Sequence, residues 1–94
     1  MKNTTQKRID KLNNECSKIV ECLDTLREYK DKATERRQEA EKMAAYPNQR
    51  YAEDWAREAR HQERNITNFE EMMAMLSNRL DAICEKLDRI YKEI

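Results

Sequence analysis

The sequence predicts an all-α fold, an antiparallel two-helix hairpin of coiled-coil type, on three observations. Apolar and small residues recur at alternating steps of three and four along both halves of the chain. The chain has no glycine and a single proline, which leaves little material for strand hairpins or flexible linkers. Its 94 residues are 40% charged and 38% hydrophobic, enough to bury a narrow seam but not a thick globular core. We expect a single domain over 1–94, with arm one at about 5–45, a turn at about 46–49 and arm two at about 49–94.

Arm one carries the seam residues Ile9, Leu12, Cys16, Ile19, Leu23, Leu26, Ala33, Ala40 and Ala44, with Lys30 and Arg37 filling the two gaps. Arm two carries Ala52, Trp55, Ala59, Gln62, Ile66, Phe69, Met73, Leu76, Leu80, Ile83, Leu87, Ile90 and Ile94. Between the arms the phase slips. Continued past Ala44, the first series would fall on Pro47 and Tyr51, whereas the second starts at Ala52. Proline in a helix interior removes a hydrogen bond and clashes with the preceding turn, at a cost of about 3 kcal/mol, and it pushes Tyr46 out of helical geometry. The chain is therefore expected to reverse here rather than run on as one kinked helix. Asn48 would cap the second helix, or Pro47 would occupy its first turn.

In the hairpin, residues whose numbers sum to about 99 face each other, because an antiparallel seam sets a positions against d positions. Ala44 then meets Trp55, Ala40 meets Ala59, Leu26 meets Met73, Ile19 meets Leu80 and Leu12 meets Leu87. Arg37 meets Gln62 in a polar layer that discourages slipped registers. The seam is thin near the turn and bulky at the open end. There, further apolar residues flank it: Val20, Cys22, Met72, Met75, Cys84 and Tyr91. Two helices cover only one side of each other, so these flanks call for another cover. Pairing of two hairpins into a four-helix bundle is the economical solution, and a different helical protein is the alternative.

Composition excludes several function classes. Nineteen basic residues balance nineteen acidic ones. The balance is also local, six against five over 1–28, nine against eight over 30–64 and four against six over 70–94. A nucleic-acid binder normally shows a basic stripe. The nearest approach is Arg57, Arg60 and Arg64 with Arg36 and Arg37, and glutamates interleave these as in a solvated helix face. No run is long enough to span a bilayer, and the N-terminus has no apolar stretch of the kind a secretory signal needs. We expect a cytoplasmic protein of the cell or host that expresses it, so Asn3 and Asn65 match the glycosylation pattern by chance.

No residue pattern points to catalysis, a cofactor, a metal or a small-molecule substrate. The single histidine, His61, lies in a charged stretch without a nearby nucleophile. Zinc needs four ligands, and the three cysteines have no Cys-x-x-Cys spacing. Cys16 lies on the seam and Cys84 opposite it, one step off, close enough for a disulfide. The expectation is two buried thiols acting as small apolar groups. At the turn, Tyr46, Arg50, Tyr51 and Trp55 form a tip whose composition matches binding hot spots.

In size and hairpin outline the chain is similar to the small helical-hairpin secreted proteins that carry a Trp-x-Gly turn motif, and to small dimeric helical chaperones of secretion systems. Here the turn reads "YPNQ" without glycine, and no functional residue carries over. The functional expectation is a non-enzymatic protein–protein interaction module (adaptor, chaperone or small inhibitor) acting through helix packing. The alternative is a nucleic-acid-binding hairpin that uses the mid-arm arginines.

Overall fold

The computed structural model describes residues 2–47 and 50–94. They form two helices, α1 over Lys2–Ala44 and α2 over Ala52–Glu93, and no strand occurs among the described residues. The chain is an all-α helical hairpin, as its periodicity predicts.

α1 ends where proline chemistry requires. The Ala45 amide donates to the Glu41 carbonyl at 3.1 Å, and the Tyr46 amide donates to Met43 at 3.3 Å, a tightened last turn. Pro47 follows outside the helix. Lys42 in the last turn suits the negative end of the helix dipole. α2 starts at Ala52, later than the expected 49. The Tyr51 carbonyl accepts the first intrahelical bond, from the Trp55 amide at 3.0 Å, which makes Tyr51 the residue at the cap position. Pro47 is therefore not in the first turn of α2, and the reversal takes more residues than the seam phase alone suggested. Asn48, the expected cap, lies outside the described residues. Glu53 and Asp54 in the first turn of α2 complement its dipole.

The contacts divide into two compact units, Met1–Thr25 with Met73–Ile94, and Leu26–Met72. Each draws on both helices. In the first unit, Ile9 and Ile19 of α1 and Ile83 and Ile90 of α2 are buried, and Ile83, at 2% exposure, is the largest fully covered side chain. Leu12, Cys16, Leu23, Leu76, Leu80 and Leu87 are half-buried around them. In the second unit, Leu26, Ala33, Ala40, Ile66 and Gln62 are buried, with Lys30, Arg37, Trp55, Ala59 and Phe69 half-buried. The predicted seam thus carries the core of each unit. Ile94 is the exception: it lies past the end of α2 and is 78% exposed.

Cross-helix contacts report the register of the second unit. There Arg37 Nη1 donates to Glu63 Oε2 at 2.6 Å, Lys30 Nζ lies 3.9 Å from Glu70, and the Tyr29 and Phe69 rings are tilted with centroids 6.1 Å apart. These pairs fall within about two residues of the expected register, the tolerance that a–d′ layering allows. The expected Arg37–Gln62 layer is built differently. Gln62 Nε2 donates to Glu58 on its own helix at 2.8 Å, and its Oε1 accepts from Asn65 at 3.4 Å. Arg37 reaches past it to Glu63.

Candidate functional site

The proposed interface residues remain on the surface. Val20, Met72, Met75, Tyr91, Cys22 and Cys84 are all exposed, Met75 at 72% and Tyr91 at 55%. Heptad position sorts them. In an antiparallel pair, e positions face e positions and g positions face g positions. Val20, Cys84 and Tyr91 are e residues and share one flank of the first unit. Cys22 (g) and Met75 (c) lie on the other flank. Met72, also g, belongs to the second unit, as does Tyr29, an exposed g residue that the stripe analysis did not single out.

The second flank of the first unit holds a feature that charge counting hid. Arg8, Lys11, Arg79, Lys86 and Arg89 converge on an open groove of about 560 Å³ floored by Leu12 and Ile90. Only two carboxylates line it, Glu15 and Glu93, and Arg79 Nη2 donates to Glu15 Oε2 at 3.3 Å. Balanced segment totals conceal this because the g and c positions collect cations while aspartates such as Asp10, Asp81 and Asp88 fall at b. Sorting charges by heptad position, instead of by segment, would have found it.

Two of the mid-arm arginines, Arg37 and Arg57, are engaged. Arg37 pairs with Glu63 and also lies 3.7 Å from Glu41. Its Nε is buried without a hydrogen-bond partner. Hydrogen bonding to Glu63 holds the guanidinium above its ordinary range, more than burial lowers it. Arg57 lies 3.5 Å from Asp54 on its own helix. His61 is exposed and lines a shallow hollow with Asp54, Arg57, Glu58 and Arg64. Among the described residues no group of three or more His, Cys, Asp or Glu side chains could hold a metal.

At the tip, Tyr46 and Tyr51 are exposed. The Arg50 guanidinium lies 5.6 Å from the Tyr51 ring centroid, a cation–π contact. Trp55 is half-buried, and it lines an open groove with Tyr51, Arg36 and Glu39. The structure therefore gathers Tyr51 and Trp55 into one surface with residues of α1, and Tyr46 stays outside that groove.

Cys84 lies near enough to Cys16 across the hairpin to act on its thiol. Burial, then the neighbouring Cys84, raises the Cys16 thiol above its ordinary value. The expectation of two buried thiols needs correcting. Cys16 is half-buried, but Cys84 is exposed, because an e position lies at the edge of what one partner helix covers.

No helix among the described residues is long and apolar enough to cross a membrane. Comparison with protein-family models, curated proteins and solved structures returns no match. The class rests on fold and surface alone: a two-helix hairpin with one apolar flank and one cationic groove.

Proposed function

We propose that the chain is a non-enzymatic protein–protein interaction module that works by packing helices, as an adaptor, chaperone or small inhibitor. Its first partner is a second copy of itself, and the product is a four-helix bundle. Another helical protein presenting a matching stripe is the alternative partner. The supporting observation is the flank formed by Val20, Cys84 and Tyr91 beside a buried seam. Covering one large apolar side chain is worth roughly 1.5–3 kcal/mol, a large share of the stability of a small domain.

Apolar side chains favour this flank over the opposite one. Two-fold packing puts the same surface of both copies together. Through the cationic groove, that would set Arg8, Lys11, Arg79, Lys86 and Arg89 against their own images. Through the e flank it joins Val20, Cys84 and Tyr91, with the b-position Asp10, Asp81 and Asp88 at the border. The tip, with exposed Tyr46 and Tyr51, is a second surface left open for a further partner. Nucleic-acid binding through the mid-arm arginines is the weaker reading, since Arg37 and Arg57 are already paired with carboxylates. We place the protein in the cytoplasm of the cell that makes it, on its odd cysteine count.

The test is sedimentation equilibrium at micromolar concentration. The wild type should have twice the chain mass. Val20→Glu with Tyr91→Glu should return it to the chain mass with helicity retained, whereas Tyr46→Ala with Tyr51→Ala should leave the dimer intact. A wild type that is stably folded and strictly monomeric overturns the dimer. Tight, salt-sensitive retention on RNA lost with Arg57→Glu and Arg60→Glu would move the function to nucleic acid.

A further inference from the structure

We propose that the cationic groove of the first unit docks an acidic amphipathic helix of another protein, one that carries carboxylates at heptad spacing and an apolar side chain at one end. The inference extends the interaction reading above to a second partner. It rests on that reading for the kind of contact, helix against helix, and not on the dimer. The groove lies on the flank opposite Val20, Cys84 and Tyr91, so it stays open when two copies pair.

Four observations carry it. First, the cations are not neutralised. Five cationic side chains and two carboxylates line the groove, in a chain whose formal net charge is zero. Among the described residues, Arg79 is the one cation of the five with an ion pair, to Glu15. Second, two of the cations stand in the same layer. Glu15 and Arg79 are g residues in contact across the seam. One heptad nearer the termini the same positions hold Arg8 and Lys86, and both line the groove. Flanking residues of a coiled coil ordinarily meet with opposite charges. A like-charged layer opposes the hairpin, and local rules are broken in this way where a surface serves a partner.

Third, the flank turns apolar beyond Arg79. Met75, one turn back along α2, is 72% exposed, and Cys22, one heptad beyond Glu15, is exposed as well. Methionine adapts to the shape of what covers it. Fourth, the spacing is helical. Arg79 and Lys86 sit one heptad apart, about 10.5 Å along α2 at 1.5 Å per residue. A third helix laid along the groove presents its own heptad positions at the same interval.

These features select the occupant. Its carboxylates lie against Arg8, Lys11, Lys86 and Arg89, and its apolar end lies against Met75. The stretch from Met75 to Arg89 is about 21 Å long, four turns of helix. A nucleic acid fits less well. Among the described residues no aromatic side chain lines the groove for bases to stack on, and a sugar–phosphate backbone offers no apolar side chain to Met75.

The experiment titrates the full chain into a fluorescein-labelled peptide of about three heptads, with glutamates at the a and d positions of two heptads, leucine in the third and alanine elsewhere. Anisotropy should show saturable binding in the micromolar range that weakens as salt rises. Lys86→Glu with Arg89→Glu should weaken it roughly tenfold or more, and Met75→Ser about threefold. Arg60→Glu with Arg64→Glu, in the second unit, should leave it within about twofold. Lys86→Glu alone gives Arg8 an acidic neighbour, so the melting temperature should hold or rise while affinity falls. A cation with a merely structural role would not show that split.

Three results would overturn the proposal: no saturable binding of the acidic peptide, equal binding by Lys86→Glu with Arg89→Glu, or a labelled oligothymidine held more tightly than the peptide, which would assign the groove to nucleic acid. Sedimentation of the chain alone reads the dimer separately. A monomer that binds the peptide removes the dimer and keeps the groove, and a dimer that does not bind it removes the groove and keeps the dimer.

Discussion

Arg37 of α1 and Glu63 of α2 are joined at 2.6 Å across the thin part of the seam, yet the same arginine keeps a buried Nε without a hydrogen-bond partner. The pair therefore ties the helices together while leaving one polar atom unsatisfied. Its flanking seam residues, Ala33 and Ala40, are small and buried.

The first prediction follows from that balance. A partly exposed ion pair contributes little after side-chain ordering and screening, while an unsatisfied buried donor costs stability. Arg37→Met should leave the melting temperature unchanged or raise it, since methionine fills an irregular gap without a polar atom. Glu63→Gln should lower it slightly, and less so in high salt. A large destabilisation by Arg37→Met would show that the ion pair, and not the apolar layers, holds this part of the seam.

A second prediction separates a seam residue from one that only continues the pattern. Ile83 is 2% exposed, and Ile94 is 78% exposed beyond the end of α2. Ile83→Ala should cost about 2–4 kcal/mol in urea unfolding. Ile94→Ala should stay within about 0.5 kcal/mol of wild type. Equal losses at both sites would mean that the last turn is covered in solution.

A third concerns pH. Burial and the Cys84 neighbour make the folded chain hold the Cys16 proton more tightly than the unfolded chain does. A group raised in this way contributes stability that is complete below the unfolded thiol value, about 8.5, and is lost as pH rises through the folded value. Under reducing conditions the wild type should lose a few °C more than Cys16→Ala between pH 8 and pH 10, on the order expected for a small shift in one group. Parallel melting curves across that range would contradict the assignment.

A fourth tests the turn. Pro47 lies outside both helices, so its removal frees the unfolded chain more than it harms the folded one. Pro47→Ala should lower stability by no more than about 1 kcal/mol. Spin labels at Thr5 and Glu93, both within the first unit, should still report a short distance. A distance on the order of 100 Å, as one continuous helix of this length implies at 1.5 Å per residue, would show that proline alone enforces the reversal.

Most of the seam was readable from spacing because helical period is local: residues three and four apart share a face whatever lies opposite. That logic extended even to Lys30 and Arg37, whose half-buried positions follow from phase and not from polarity. It overreached at Ile94, where the pattern outlasts the helix. It also missed the start of α2, because the phase slip marks that the chain turns without setting how many residues the turn takes. The flanking residues Val20, Cys22, Met72, Met75, Cys84 and Tyr91 are exposed. Their division into two flanks, and the gathering of Arg8, Lys11, Arg79, Lys86 and Arg89 in one groove, depend on which sides of both helices come together.

By itself the sequence determined that two amphipathic helices fold back near Pro47 and which residues their seam contains, since backbone sterics and helical period act within a few residues. Only the tertiary structure decided that Cys84 neighbours Cys16 while staying open to solvent, that Gln62 turns to its own helix, and that Arg37 crosses to Glu63. Those outcomes depend on how far one helix reaches around the other, a property of the packed pair that no local pattern encodes.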